Sequence, residues 1–279
     1  MTRSILVRAA KGGVGKSTLA IALENMLSLK GMKFHLVDAD HDETKQHADG
    51  KAGASLASVF GDRVETVRIG ATVEALERDV NSAYTHWFPL FKTMRDRDVL
   101  ADFGANTMGA VDAALEGGGW ASSFQKAGTQ IDVVIPLTTH PEAMENGLAA
   151  IASTQRVLPN ATIVVALVEK DGPFAAYKAH PHFKELMTLV EGGVQVISVP
   201  RCTSILWQAM ELAHLDFNTA TERAKADPDE LATFLKLEPE EVNLGLLKLA
   251  PWFKAVRAEC ERVGLLRPPA PAAKIKASA

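Results

Sequence analysis

Lys11-Gly12-Gly13-Val14-Gly15-Lys16-Ser17-Thr18 stands between a short apolar run, residues 4–9, and a helical pattern over residues 17–30. A glycine-rich turn between a strand and a helix is the setting a phosphate-binding loop requires. Its glycines let the backbone bend so that successive N–H groups converge on phosphate oxygens. The helix that follows adds its positive N-terminal end. In such a loop Lys16 neutralises β- and γ-phosphate charge and the Ser17 hydroxyl reaches Mg²⁺. Gly12, Gly13, Val14, Gly15, Lys16, Ser17 and Thr18 are therefore the candidate phosphate-binding residues. The general pattern G-x₄-G-K-[ST] places glycine where this chain has Ala10, but Gly12, Gly13 and Gly15 remain to shape the turn.

Outward from this loop, apolar β-rich runs alternate with helical patterns. The strand candidates are residues 4–9, 33–38, 64–69, 98–103, 131–137, 162–168 and 194–199. Several are continuous, such as Val-Val-Ile at 133–135, as expected of strands buried on both faces of a parallel sheet. The helical stretch 17–30 carries Leu19, Leu23, Met26 and Leu27 on one face and stops at Gly31. Residues 141–157 and 174–190 read as helices of similar length. This alternation predicts an α/β fold, a doubly wound and mostly parallel sheet. After Leu215 the pattern becomes helical throughout. Residues 227–230 and 238–241 are helix starts, and Pro251 is expected to open a last helix with Trp252, Phe253, Val256, Cys260 and Val263 at helical spacing. The predicted organisation is a core over 1–215, a helical C-terminal extension packed on it over 216–266, and a disordered Pro-rich tail over 267–279.

The 279 residues are 47% hydrophobic and 23% charged with mean hydropathy +0.02, which excludes a disordered or fibrous chain. Cys202 and Cys260 are too few for a disulfide framework. With no signal-peptide-like start and no long apolar run, a cytoplasmic protein is expected. The net charge of −4 argues against a wholly basic nucleic-acid binder. Residues 248–279, however, hold seven Lys/Arg against Glu259 and Glu261, a basic region that an anionic partner such as DNA would meet. Asp38, Asp40, His41, Asp42, Glu43 and His47 lack the spacing of a dedicated transition-metal site. His180-Pro181-His182 reads as an exposed loop, and Trp120 and Trp207 as core. No nucleophile motif such as G-x-S-x-G supports acyl transfer.

Lys11, ahead of the glycines, gives the loop a second lysine, and K-G-G-x-G-K-[ST] resembles the deviant Walker A motif of the ParA/MinD ATPases. The resemblance implies that Lys11 reaches across a nucleotide-sandwich homodimer to the partner's phosphates, a charge delivered only in the assembled state. Leu36-Val37-Asp38-Ala39-Asp40 resembles the family's D-x-D, which implies that Asp40 orients the attacking water while Asp38 sits near the metal. Val99-Leu100-Ala101-Asp102 resembles a Walker B strand, its acid in the Mg²⁺ shell. Asp102-Phe103-Gly104-Ala105 replaces the family's D-x-P-P, with Gly104 still placed to offer a backbone N–H to the γ-phosphate. Val199-Pro200-Arg201 resembles the family's I-P-R segment beside the adenine. At the preceding strand end, where members often present asparagine to the base, this chain has Val168-Glu169-Lys170-Asp171 instead, which leaves Glu169 as the candidate there. The resemblance runs from Ser4 to about Leu215.

The resemblance thus implies catalytic roles for Lys11, Lys16 and Asp40, metal ligation by Ser17, Asp38, Asp40 and Asp102, and ATP with Mg²⁺ as cofactors. It implies an ATP-controlled dimer that partitions plasmids or chromosomes, acts in conjugation, or positions cargo. The expected partners are a second copy, DNA through the basic C-terminal region, and an activating or cargo protein. A membrane is not expected, because the last helix carries Glu259 and Glu261. The chain begins at its first strand, without the N-terminal DNA-binding domain of longer partition proteins. Two other classes stand beside this reading: a nucleotide-binding adaptor that recruits a protein, and a metabolic P-loop ATPase or ligase.

Overall fold

The computed structural model describes residues 1–41, 54–68, 70–71 and 73–268. Among them β1 (Arg3–Arg8), β2 (His35–His41), β3 (Val64–Arg68), β4 (Val99–Phe103), β5 (Gln130–Leu137), β6 (Thr162–Val168) and β7 (Gln195–Val199) form one sheet. Its order is β3-β2-β4-β1-β5-β6-β7, and every pairing is parallel. From β1 the chain runs to β2 and the edge strand β3, doubles back to β4 beside β1, and then crosses to β5, β6 and β7 on the other side, which makes the sheet doubly wound and puts the switch of direction beside β1. Ligand crevices form at such a point, outside the carboxyl ends of the strands.

Alternation along β1 sorts the core into two layers. Ile5 and Val7 join the helix Lys16–Leu29 and the C-terminal helices in one buried cluster. Leu6 faces the other layer, with Phe91, Val111, Phe124 and Ile151 from helices between Phe88 and Val157. The first helix holds Leu19, Leu23, Met26 and Leu27 against the sheet. It ends in paired bonds, Gly31 N–H to the Ser28 carbonyl and Met32 N–H to the Leu27 carbonyl, which satisfy carbonyls the helix end leaves open.

All seven expected strands are present, with β2 running on to His41 rather than stopping at Asp38. Three local expectations fail. The stretch 174–190 splits into a 3₁₀ turn, Phe174–Tyr177, and a helix, Pro181–Glu191. The proline forces His180 into extended backbone, φ −66° and ψ 136°. His180-Pro181-His182 is consequently a helix start and not a loop, with the His180 ring nitrogen accepting from His182 N–H at 3.3 Å. Pro251 does not open a helix; it lies inside Pro239–Arg262. A proline there leaves the carbonyl four residues back without its donor. That residue, Leu247, is 74% exposed, on the outer face of the helix.

The C-terminal helices belong to the layer of the first helix. Leu231, Val242, Leu249, Trp252, Val256 and Cys260 are buried in the same cluster as Ile5 and Leu23. Asp227 caps Pro228–Leu235 through Asp229 and Glu230 N–H, and Glu238 with Glu241 forms a capping box at the head of Pro239–Arg262. Both cysteines are free. Arg267 is held by its carbonyl, which accepts from Arg3; the expected tail lies, from residue 269 on, outside the described residues.

Candidate functional site: the phosphate loop and its carboxylates

The loop after β1 is shaped by Gly13 and Gly15, whose φ values of +72° and +92° lie in the left-handed region. Gly15 is the N-cap of Lys16–Leu29, so the helix begins at the lysine itself and presents its open N–H groups to the loop. Val14 anchors the loop from below, packed with Ala9 and with Ala143 of the helix Pro141–Val157. Gly12 and Gly13 are exposed, and Ser17 and Thr18 are half-buried.

Lys16 is 7% exposed, and among the described residues no carboxylate pairs with it. A buried ammonium without a counter-charge beside a helix N-terminus and a glycine cradle suits a polyanionic phosphate. The Thr18 hydroxyl points elsewhere, donating to Glu211 Oε1 at 2.9 Å, so of Thr18 only the backbone N–H is left for a ligand.

Asp38 and Asp102 are register partners on β2 and β4, buried to 3% and 1% exposure. In-register residues of neighbouring parallel strands share a sheet face, so the two carboxylates sit side by side although 64 positions separate them in the chain. Asp38 Oδ2 also accepts from Ala57 N–H at 3.2 Å, capping the helix Leu56–Phe60. The pairing of β2 with β3 shifts register between Asp38 and His41, the kind of irregularity that re-aims a strand end. Asp40 lies in that interval; its side chain, and Asp42, Glu43 and His47 altogether, are outside the described residues.

Gly104 follows β4 and caps the 3₁₀ turn Ala105–Thr107. Its carbonyl accepts from Thr107 N–H at 3.1 Å and from the Thr107 hydroxyl at 2.8 Å. Thr107 was not visible as a site residue in the sequence, yet this bond fixes the segment that replaces the double proline.

Lys11 is turned toward its own chain. Its ammonium pairs with Glu142 Oε2 in the first turn of Pro141–Val157 and lies 3.3 Å from His140 Nδ1. The Lys11 bond holds the Glu142 carboxyl below its ordinary range. Both side chains are solvent-accessible, so the contact is one that water and salt weaken.

At the base end, Glu169 opens a 3₁₀ turn after β6, its Oε1 accepting from Phe174 N–H at 3.3 Å. Arg201 is exposed and Pro200 half-buried. The Pro200 carbonyl accepts from Trp252 Nε1–H at 2.7 Å, and the Trp252 ring packs against Trp207 at a tilt of 48°, centroids 5.1 Å apart. Thus the C-terminal helix fixes the Pro200–Arg201 segment, a contact no local motif announces. Of the basic C-terminal residues, Arg257 is paired with Glu261 and Arg262 with Glu259. Lys248 and Lys254 carry no ion pair among the described residues. No described helix is long and apolar enough to cross a membrane.

The sequence family described as the CobQ/CobB/MinD/ParA nucleotide binding domain matches residues 5–205, well over half of the chain. No curated protein matches by sequence. Among solved structures, the chain is similar to the MinC:MinD cell division complex of Aquifex aeolicus, at 13% identity and TM-score 0.47 over 98% of this chain and 99% of that one. It is similar to a proposed plasmid partition protein of Borrelia burgdorferi B31 bound to AMPPNP, at 15% identity and TM-score 0.45 over 89% and 100%. A third similarity is to cobyrinic acid a,c-diamide synthase of Mycobacterium smegmatis with ADP and magnesium, at 19% identity and TM-score 0.37 over 81% and 96%.

Proposed function

The chain belongs to the CobQ/CobB/MinD/ParA nucleotide-binding family, and from that premise we propose that it is a ParA-like ATPase working as an ATP-controlled dimer switch in DNA partition, conjugation or cargo positioning. The observation that carries this reading is the division of labour between two lysines on one loop. Among the described residues Lys16 is buried at the helix head without a counter-charge, whereas Lys11 is accessible and held by a surface contact. The first suits a phosphate bound within the subunit, the second a charge that can be delivered elsewhere.

In this reading the N–H groups of residues 12–18 and the Lys16 ammonium hold the phosphates. Ser17, Asp38 and Asp102 hold Mg²⁺, which when bound neutralises charge on the transferred phosphoryl group. Asp40 orients the attacking water, and the Gly104 N–H meets the γ-phosphate. Glu169, Pro200 and Arg201 border the base. Lys11 leaves Glu142 to reach the partner's phosphates, which makes assembly a condition of turnover. Lys248 and Lys254 are the cations best placed for DNA, since Arg257 and Arg262 already have carboxylate partners.

Asp40→Ala tests the reading, because it should retain ATP without turning it over. Sedimentation of that variant should show a dimer in ATP and a monomer in ADP, and Lys11→Ala should abolish the dimer. Co-sedimentation with nonspecific duplex DNA that requires ATP and weakens with salt would identify DNA as what the dimer binds. A dimer that ignores DNA leaves the switch standing and removes its DNA role; no ATP-dependent dimer removes the switch.

A further inference from the structure

Arg8 is the last residue of β1, three positions before Lys11, and is 1% exposed. It points into the layer away from the first helix, where its Nη2 donates to Asp112 Oδ1 at 2.5 Å. Asp112 belongs to the helix Met108–Gly117, entered directly from the Gly104–Thr107 segment. The other oxygen, Asp112 Oδ2, accepts from the Ser153 hydroxyl at 2.5 Å. Ser153 lies on Pro141–Val157, the helix whose first turn carries Glu142, the partner of Lys11. One guanidinium and one carboxylate thereby tie together the strand that feeds the phosphate loop, the helix behind the Gly104 segment and the helix behind the Lys11 contact.

We propose that Arg8 is a positioning residue of the nucleotide site: through Asp112 and Ser153 it sets the placement of the Gly104–Thr107 segment and the Lys11-bearing loop relative to each other. This rests on the nucleotide-site reading given above. Two features separate it from a simple staple. A buried ion pair is a poor way to gain stability, because well-packed apolar residues usually do as well or better. The pair is also incompletely satisfied: Arg8 Nη1 is buried with no hydrogen-bond partner among the described residues. A guanidinium with an unused buried donor is poised to take a carbonyl acceptor when a neighbouring segment shifts. Asp112 lies on the helix that the Gly104–Thr107 segment, read above as meeting the γ-phosphate, leads into. A bond so short and buried transmits such a shift to the Ser153 helix with little slack.

The test compares the full-length wild-type chain with the charge-free double variant Arg8→Met/Asp112→Leu, which removes both ions and leaves neither charge stranded. Amide hydrogen exchange of the nucleotide-free protein is the primary readout, and MgATP turnover the second. The expected result is a folded variant in which segments 9–15 and 104–108 exchange about tenfold faster while β5 and β6 exchange as before. Turnover is expected to fall at least about tenfold, as small misplacements of reacting groups cost that much or more. A folded variant in which both segments exchange as in wild type overturns the proposal, and so does a uniform rise across the sheet, which would mark a role in stability alone. If the double variant does not fold, Arg8→Lys decides by the same measurement. It keeps the charge while losing the planar fork, so local loosening of the two segments supports the proposal and its absence overturns it. Wild-type protein that neither binds nor turns over MgATP would defeat the nucleotide-site reading, and the exchange comparison would still decide what Arg8 positions.

Discussion

β1 carries a buried arginine at each end, and the two are built differently. Arg3, at the entrance, has a partner on each of its three nitrogens: Nε on Asp132 at 2.6 Å, Nη1 on the Arg267 carbonyl at 2.5 Å and Nη2 on the Gly264 carbonyl at 3.1 Å. Asp132 in turn accepts from Gln130 Nε2. Arg8, at the exit, has one carboxylate and a donor left over. They also face opposite layers, Arg3 toward the C-terminal helices and Arg8 toward the helices behind the site. Ligand crevices of parallel sheets form outside the carboxyl ends of the strands, so it is the exit, which carries the loops, that keeps an unsettled group.

If that contrast is right, damage at the entrance appears as lost stability without lost chemistry. Arg3→Met strands Asp132 as a buried charge and frees the end of the last helix. A loss of about 3–5 kcal/mol is expected, the usual consequence of breaking a buried pair from one side. Denaturant unfolding measures it, and turnover per native molecule should stay at the wild-type value. A large drop in specific activity with the fold intact would break the comparison.

Damage at the exit should do the reverse. Lys16→Ala removes a buried ammonium that has no carboxylate partner among the described residues, so the melting temperature should hold or rise. Turnover should fall about 10²- to 10³-fold, the scale seen when a charge-stabilising group is removed from a reacting centre. Measured together, melting and turnover for Lys16→Ala and Arg3→Met should move in opposite senses. Equal stability losses in the two would mean that both ends of β1 are structural.

How much of this contrast was legible in the chain follows from how far apart its parts lie. The central strands were readable because strands buried on both faces need continuous apolar runs, as at Val133–Ile135 and Ile163–Val165. The phosphate loop was readable because its glycines, lysine and helix start are consecutive. The carboxylate pair was half readable: Asp38 and Asp102 each end an apolar run, but only the strand order makes them neighbours. The buried arginines were not readable at all. Arg3 meets Asp132, and Arg8 meets Asp112, across sequence separations of 129 and 104, and a charged residue in an apolar run does not say what neutralises it. Nor did any local pattern tie Trp252 to Pro200. The Pro251 expectation failed because it weighed the missing N–H and not that Leu247, four residues back, lies on the exposed face of the helix.

The smallest expected effect bears on the loop itself. Glu142 holds Lys11 within its own subunit, and because the pair is accessible it resists release only weakly. Glu142→Gln should therefore tighten the ATP-dependent dimer only about two- to fivefold per subunit, read by sedimentation at low salt, with the gain shrinking as salt rises. The pH dependence has a definite sign. Lys11 lowers the Glu142 carboxyl below the ordinary glutamate value of 4.5, so the contact is fully present above that value and disappears as pH falls through the lowered one. At neutral pH, then, the advantage of Glu142→Gln should be present, and it should vanish in acid, where wild type has already released Lys11. A variant that weakens the dimer at neutral pH would show Glu142 working across the interface instead of restraining the lysine, and the exit of β1 would then be organised around assembly from the start.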